Sequence, residues 1–402
     1  MNRRWHVAAG LALGMSAIPL VAGTAGAVGT ADAAAGHGAR GAFTVAVYGD
    51  APYGTSPTDT AEFQATPAFI ASVNADPDVS TVIHVGDIHS GKQYCTEAYD
   101  QSIAALWKTF ADPLVYTPGD NEWADCHKAG EGGGKYNAAT GQVDPVLDPA
   151  TGRPVDYAAG DPAANLDLIR KTFFAQPGRT LGSGTLRVLS QAQLPNWAHP
   201  QDAKYVENVL WVRDGTLFVT VNVPGGSNND ADPWYGAPAA SPAQQDEAAQ
   251  RTAADLRWLD TAFALARFGG VSSVVVTTQA DMWDLDGKTS AHLTNYEPIV
   301  SSLASHTTAF GKPVLLLVGD SHVYRSDNPL RQGAPCTGDE GVCSSDAWTS
   351  HPNYDVPNFH RVVVHGSTIP LEYLKLTVTP HARNPETATS FGPFTWSRVT
   401  RS

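Results

Sequence analysis

Four times along this 402-residue chain a short, β-prone apolar run closes on Gly-Asp. The steps are Gly49-Asp50 after residues 43–48, Gly86-Asp87 after 81–85, Gly119-Asp120 shortly after 114–116, and Gly319-Asp320 after 313–318. One such step is ordinary turn chemistry. Four, each closing an apolar run, constrain the chain far more. Glycine lets the backbone turn sharply where a strand ends. In α/β sheets, ligands bind beyond the carboxyl ends of the strands. A fifth apolar run, 271–278, ends in Gln279, and His322 follows Asp320 by two residues. The pattern predicts polar, metal-binding groups gathered from several strand ends.

The segments between these runs carry helical spacing. Ile103, Leu106, Trp107 and Phe110 share one face over 97–111, and Leu256, Leu259, Phe263 and Ala266 do so over 243–268. Further helices are expected over 60–74 and 296–309, and another marked by Leu166, Ile169 and Phe173. Paired strands are expected over 205–213 and 216–223, turning at Asp214-Gly215, and closing strands over 359–364, 372–378 and 394–399. Alternating strands and helices argue for an α/β protein with buried sheets, with some antiparallel pairing where helices are sparse. Residues 128–163 and 326–357 lack periodicity and read as irregular insertions in a domain spanning 43–402.

The N-terminus reads as a targeting segment. Arg3 and Arg4 precede an apolar stretch over 7–22, and Ala25-Gly26-Ala27 fits a cleavage site that ends a signal peptide at residue 27. Ala31-Asp32-Ala33 is a second candidate, and the arginine pair leaves the export route open. A retained anchor would need about 20 apolar residues, more than this Gly/Ala-rich run offers. Residues 28–42 read as a flexible leader. No later segment is apolar enough to span a membrane. Export permits disulfides. The four cysteines are expected to pair as Cys95–Cys126 and Cys336–Cys343, one of three possible connectivities. A formal charge of −14 excludes a broad nucleic-acid footprint.

The ordered blocks Gly49-Asp50, Gly86-Asp87, Gly119-Asp120-Asn121-Glu122, Gln279 and Gly319-Asp320-Ser321-His322 resemble those of the calcineurin-like metallophosphoesterases over roughly residues 43–325. The stretches 84–89 and 116–127 look like a diverged secreted branch. The resemblance implies a four-layer α/β/β/α sandwich with two mixed β-sheets. It implies two divalent metal ions bound by Asp50, Asp87, Asp120, Gln279, Asp320 and His322, and a two-metal hydroxide mechanism on phosphate mono- or diesters. The chain departs from the family pattern at several imidazole positions: Pro52, Asp120, Asn121, Gln279 and Asp320 stand where the family has Asn or His. So oxygen-rich a set favours Mn, Mg, Ca or Fe over Zn.

Asn121 occupies the position of the family's catalytic His and cannot act as a general acid. His89, two residues after Asp87, is the expected replacement, with His127 behind it. Tyr53 is a candidate to reach the metal or a phosphate. Lys92 and Arg325 are candidates to hold phosphate oxygens, ordinary solvated charge being the alternative for each. The expected partner is a phosphorylated small-molecule or exported substrate. The rival reading is a weak or inactive descendant that binds a metal or phosphorylated ligand without turnover.

Overall fold

The computed structural model describes residues 41–400 apart from 230, 285–288 and 340. The expected signal peptide over 1–27 and all but two residues of the leader over 28–42 lie outside the described residues. Two large mixed sheets form the centre of the described fold. In the first, Phe43–Tyr48, Val79–His84 and Leu114–Tyr116 run parallel and side by side, while Glu372–Val378 and Phe394–Thr400 continue antiparallel from Phe43–Tyr48. In the second, Thr216–Thr220, Ser273–Thr277, Val314–Val318 and Phe359–Val363 are parallel neighbours.

The two-residue periodicity of strands divides the apolar side chains among three cores. Val45, Val47, Val275, Leu315 and Leu317 meet between the sheets. Ala46, Tyr48 and Val82 face outward onto Phe69, Ile103 and Ile169, which come from the helices Ala61–Asn74, Glu97–Trp107 and Pro162–Phe173. Val274, Val276, Leu316 and Val318 face the other way onto Trp258, Phe263 and Leu303, from Pro242–Phe268 and Glu297–Phe310. The layers therefore run helix, sheet, sheet, helix, as the resemblance implies. Local chemistry sets the helix starts: the Asp161 and Ser241 side chains accept from the N–H groups of Ala164 and Gln244, and proline follows each cap.

The regions expected to be irregular hold short pieces of structure. Gly134–Asn137 and Gln142–Pro145 form a hairpin inside the first insertion. Arg325–Asp327 adds antiparallel to Phe359–Val363 at the start of the second. The edge strands Asn384–Thr387 and Ser390–Gly392 are too short and polar to give a sequence signal. Among the described residues no helix is long and apolar enough to cross a membrane.

Both expected disulfides are present, Cys95–Cys126 and Cys336–Cys343. They close separations of 31 and 7 residues. By loop-closure entropy the first should contribute roughly 4 kcal/mol and the second roughly 2 kcal/mol. Denaturant titration of the two paired Cys→Ser variants should show the larger loss for Cys95/Cys126.

Candidate functional site

The parallel strands of the first sheet end side by side, delivering Asp50, Asp87 and Asp120. Those of the second sheet deliver Gln279, Asp320 and His322. Asp50, Asp87, Asp320 and His322 all take left-handed φ values, of 49°, 62°, 71° and 62°. Non-glycine residues hold such angles at a cost of order 1 kcal/mol or more each, and they cluster at functional sites. The loops are stitched together: Asp50 N–H donates to the Gly86 carbonyl at 3.0 Å, and Ala51 N–H to the Asp87 carbonyl at 3.1 Å. Buried His84 braces the same junction, since Gly86 N–H donates to its Nδ1 and its Nε2 lies 3.0 Å from the Ala51 carbonyl.

Asp50 Oδ1 accepts the Asp320 N–H at 2.9 Å and stands 3.6 Å from His322 Nε2. Asp50 Oδ2 is buried with no hydrogen-bond partner among the described residues. Asp87 Oδ2 accepts the Tyr53 hydroxyl at 2.6 Å and Asn121 Nδ2 at 3.0 Å. The Tyr53 oxygen in turn accepts from Asn121 Nδ2 at 2.8 Å and lies 3.2 Å from His322 Nε2. One ligand atom each from Asp50, Asp87 and His322 falls within 4.8 Å of the others. Burial first, and then the charges of Asp120 and Glu122, push the Asp50 and Asp87 carboxyls well above the usual range, Asp281 adding to the first and Asp50 to the second. Buried carboxylates this close need protons or a cation, and a bound divalent ion would reverse the shift.

Asp120 and Asp320 form a second convergence. A Cβ on Gly225 would stand 2.5 Å from Asp120 Oδ2 and 2.5 Å from Asp320 Oδ1, so both carboxylates reach toward the same space. Gly119 is required for a similar reason: its Cβ would lie 1.9 Å from Asp87 Oδ1.

Glu122, the fourth residue of the third block, is fully buried and acts as a clamp. It accepts from the N–H groups of Gly119, Asp87 and Ile88 and from the Tyr116 hydroxyl, tying the second block to the third. Its place beside Asn121 was visible in the sequence, but its targets are tertiary. The segment Gly225-Gly226-Ser227-Asn228-Asn229 borders the site through Gly225, which stands against both the Asp120 and Asp320 carboxylates.

Tyr53, Asp87, Asp120, Asn121, Asp320 and His322 line one cleft of about 430 Å³, with exposed Lys92 at its edge. Of the expected residues, Asp50, His89, His127, Gln279 and Arg325 do not line it. His89 is fully buried, edge-on to Tyr99, with Nδ1 3.1 Å from the Ser90 carbonyl. Burial lowers its pKa to about 4. Arg325 instead pairs with Asp327 at 2.8 Å and donates to the Ser345 carbonyl. Gln279 sits behind the carboxylates as a brace: its Nε2 donates to Asp120 Oδ1 at 3.0 Å, and its Oε1 accepts the Gly225 N–H. His127 is also drawn away, accepting the Tyr235 N–H at 2.9 Å, and burial lowers its pKa to about 4.

No protein-family model matches the chain, and no curated protein matches it. A solved structure that does match is the purple acid phosphatase PPD1 isolated from yellow lupin (Lupinus luteus) seeds, at 12% identity and a TM-score of 0.36. The match covers 90% of this chain and 54% of that one, so this chain spans about half the length of that protein.

The burial of Asp50 yields a test. A carboxyl whose folded pKa is raised supports stability below its unfolded pKa and loses that support as pH rises through the folded value. In chelator, the wild-type melting temperature should therefore fall as pH rises from about 4. Asp50→Asn should raise it at neutral pH by roughly 2–4 °C. Calorimetry with and without added cation checks both.

Proposed function

We propose that this chain is a metal-dependent phosphoesterase acting outside the cytoplasm. The observation that carries the reading is the gathering of one ligand atom each from Asp50, Asp87 and His322 within 4.8 Å of one another, with one buried Asp50 oxygen lacking a hydrogen-bond partner among the described residues. In this reading Asp50, Asp87 and His322 hold one divalent cation, and Asp120 with Asp320 helps hold a second. An oxygen-rich set of this kind suits Mn, Mg, Ca or Fe. When bound, such ions supply Lewis-acid polarisation of the phosphoryl oxygens and lower the pKa of water.

The chain's own groups then position the ester. Asn121 lines the cleft and, through Nδ2, holds the Asp87 carboxylate and the Tyr53 hydroxyl in place, and it cannot protonate a leaving oxygen. Lys92 stands at the edge to meet a nonbridging phosphate oxygen. Tyr53 links Asp87, Asn121 and His322 and fixes their spacing. Because His89 and His127 point elsewhere, the leaving oxygen departs without an imidazole acid from either. The favoured substrates are therefore esters with good leaving groups. The two disulfides are compatible with an extracytoplasmic location. Asn121 in place of an acid also favours a second reading, in which a phosphorylated ligand is bound and not turned over.

The test is hydrolysis of an activated aryl phosphate with added manganese, magnesium, calcium or zinc, alongside elemental analysis. Turnover should depend on the metal and fall steeply as the leaving-group pKa rises. Asp87→Ala should lose bound metal and fall to background rate while staying folded. Unchanged metal content in that variant would contradict the assignment, and metal without turnover would favour the binding reading.

A further inference from the structure

Arg251 lies on the helix Pro242–Phe268, outside the cleft, and is fully buried. Its guanidinium spreads over two segments that are distant in sequence. Nη1 donates to the Asn222 carbonyl at 3.2 Å and to Asn228 Oδ1, and Nη2 donates to the Asn228 carbonyl at 2.9 Å. Its other face lies 5.3 Å from the Trp123 ring centroid, a cation–π distance. Trp123 directly follows Asp120-Asn121-Glu122. Glu247 neutralises the charge through contacts of 2.8 and 3.2 Å.

The segment Arg251 grips needs holding. Gly226, Ser227, Asn228 and Asn229 all sit at φ between 58° and 64°. Three of them are not glycine, and each is held in this conformation at an energetic cost. The segment begins with Gly225, whose N–H donates to Gln279 Oε1, and Gln279 Nε2 donates to Asp120. Gly225 also stands against both Asp120 and Asp320.

We infer that Arg251 is a positioning residue that locks the 222–229 turn and the Asp120–Trp123 loop together, so that Gly225, Gln279 and Asp120 keep one geometry. Its link to catalysis rests on the reading of the site given above. Its mechanical role does not. Lysine keeps the charge but lacks the planar fork needed to bond Asn222 and Asn228 together.

The experiment is amide hydrogen exchange on the metal-free full chain, joined to manganese titration of the same proteins. Arg251→Lys should speed exchange at least tenfold in both 119–124 and 222–229, and weaken manganese binding at the weaker site at least tenfold. Asn228→Gly accepts the left-handed φ and removes one acceptor, so it should loosen 222–229 alone. Arg257→Lys is the control. Arg257 lies on the same helix and makes a two-pronged contact with Asp202, at 2.7 and 2.6 Å. It should leave exchange in both segments and manganese binding unchanged. Unchanged exchange in Arg251→Lys and Asn228→Gly, or equal loosening in Arg257→Lys, overturns the inference. A wild-type chain that takes up no manganese overturns the metal reading instead, while the exchange result still decides the role of Arg251.

Discussion

The mutual repulsion of carboxylates out of water organises this molecule. Asp50 and Asp87 are fully buried, Asp120 nearly so, and neighbouring strand ends of the first sheet bring all three together. Desolvation alone disfavours their charge, and crowding adds to it. The surrounding devices all bear on that problem. Glycines at 119 and 225 remove side chains that would collide with the carboxylates. Left-handed backbone at Asp50, Asp87 and Asp320 accompanies the sharp turn at each strand end. Glu122 satisfies the backbone N–H groups that this crowding leaves exposed to the interior. Buried carboxylates so arranged need protons or a cation, and a divalent cation is the counterpart we propose.

Much of this was legible in the sequence because it is local. An apolar run followed by Gly-Asp specifies a strand, a turn and a carboxylate within a few residues, and the strands, long helices and Asp positions follow from that. Side-chain direction past the turn is not local. His89 lies two residues beyond Asp87, and with Asp87 at φ 62° the chain carries the imidazole into a pocket against Tyr99. Arg325 shows a different failure. It opens a three-residue strand that runs into the stretch read as irregular, and Asp327, two residues on, shares its face. Gln279 ends its strand where expected, but tertiary neighbours claim both ends of its amide.

Two buried arginines away from the cleft, Arg361 and Arg251, form compact ion pairs that fix loops. Arg361 bridges Asp281 and Asp327, making two contacts of 2.9 and 2.8 Å to Asp327. Asp281 N–H in turn donates to Asp320 at 3.2 Å. Arg251 does the corresponding work on the opposite flank. Breaking one partner of such a pair leaves the other charge buried and exposed to the full desolvation penalty, which makes these contacts rigid supports. The cleft is thus a charge-crowded centre flanked by buried arginine pairs.

The most direct measurement is an anomalous difference map from crystals grown with manganese. The account predicts a strong peak between Asp50, Asp87 and His322, with a second beside Asp120 and Asp320. A map with no anomalous density at these carboxylates, from crystals in which the side chains are ordered, would contradict it.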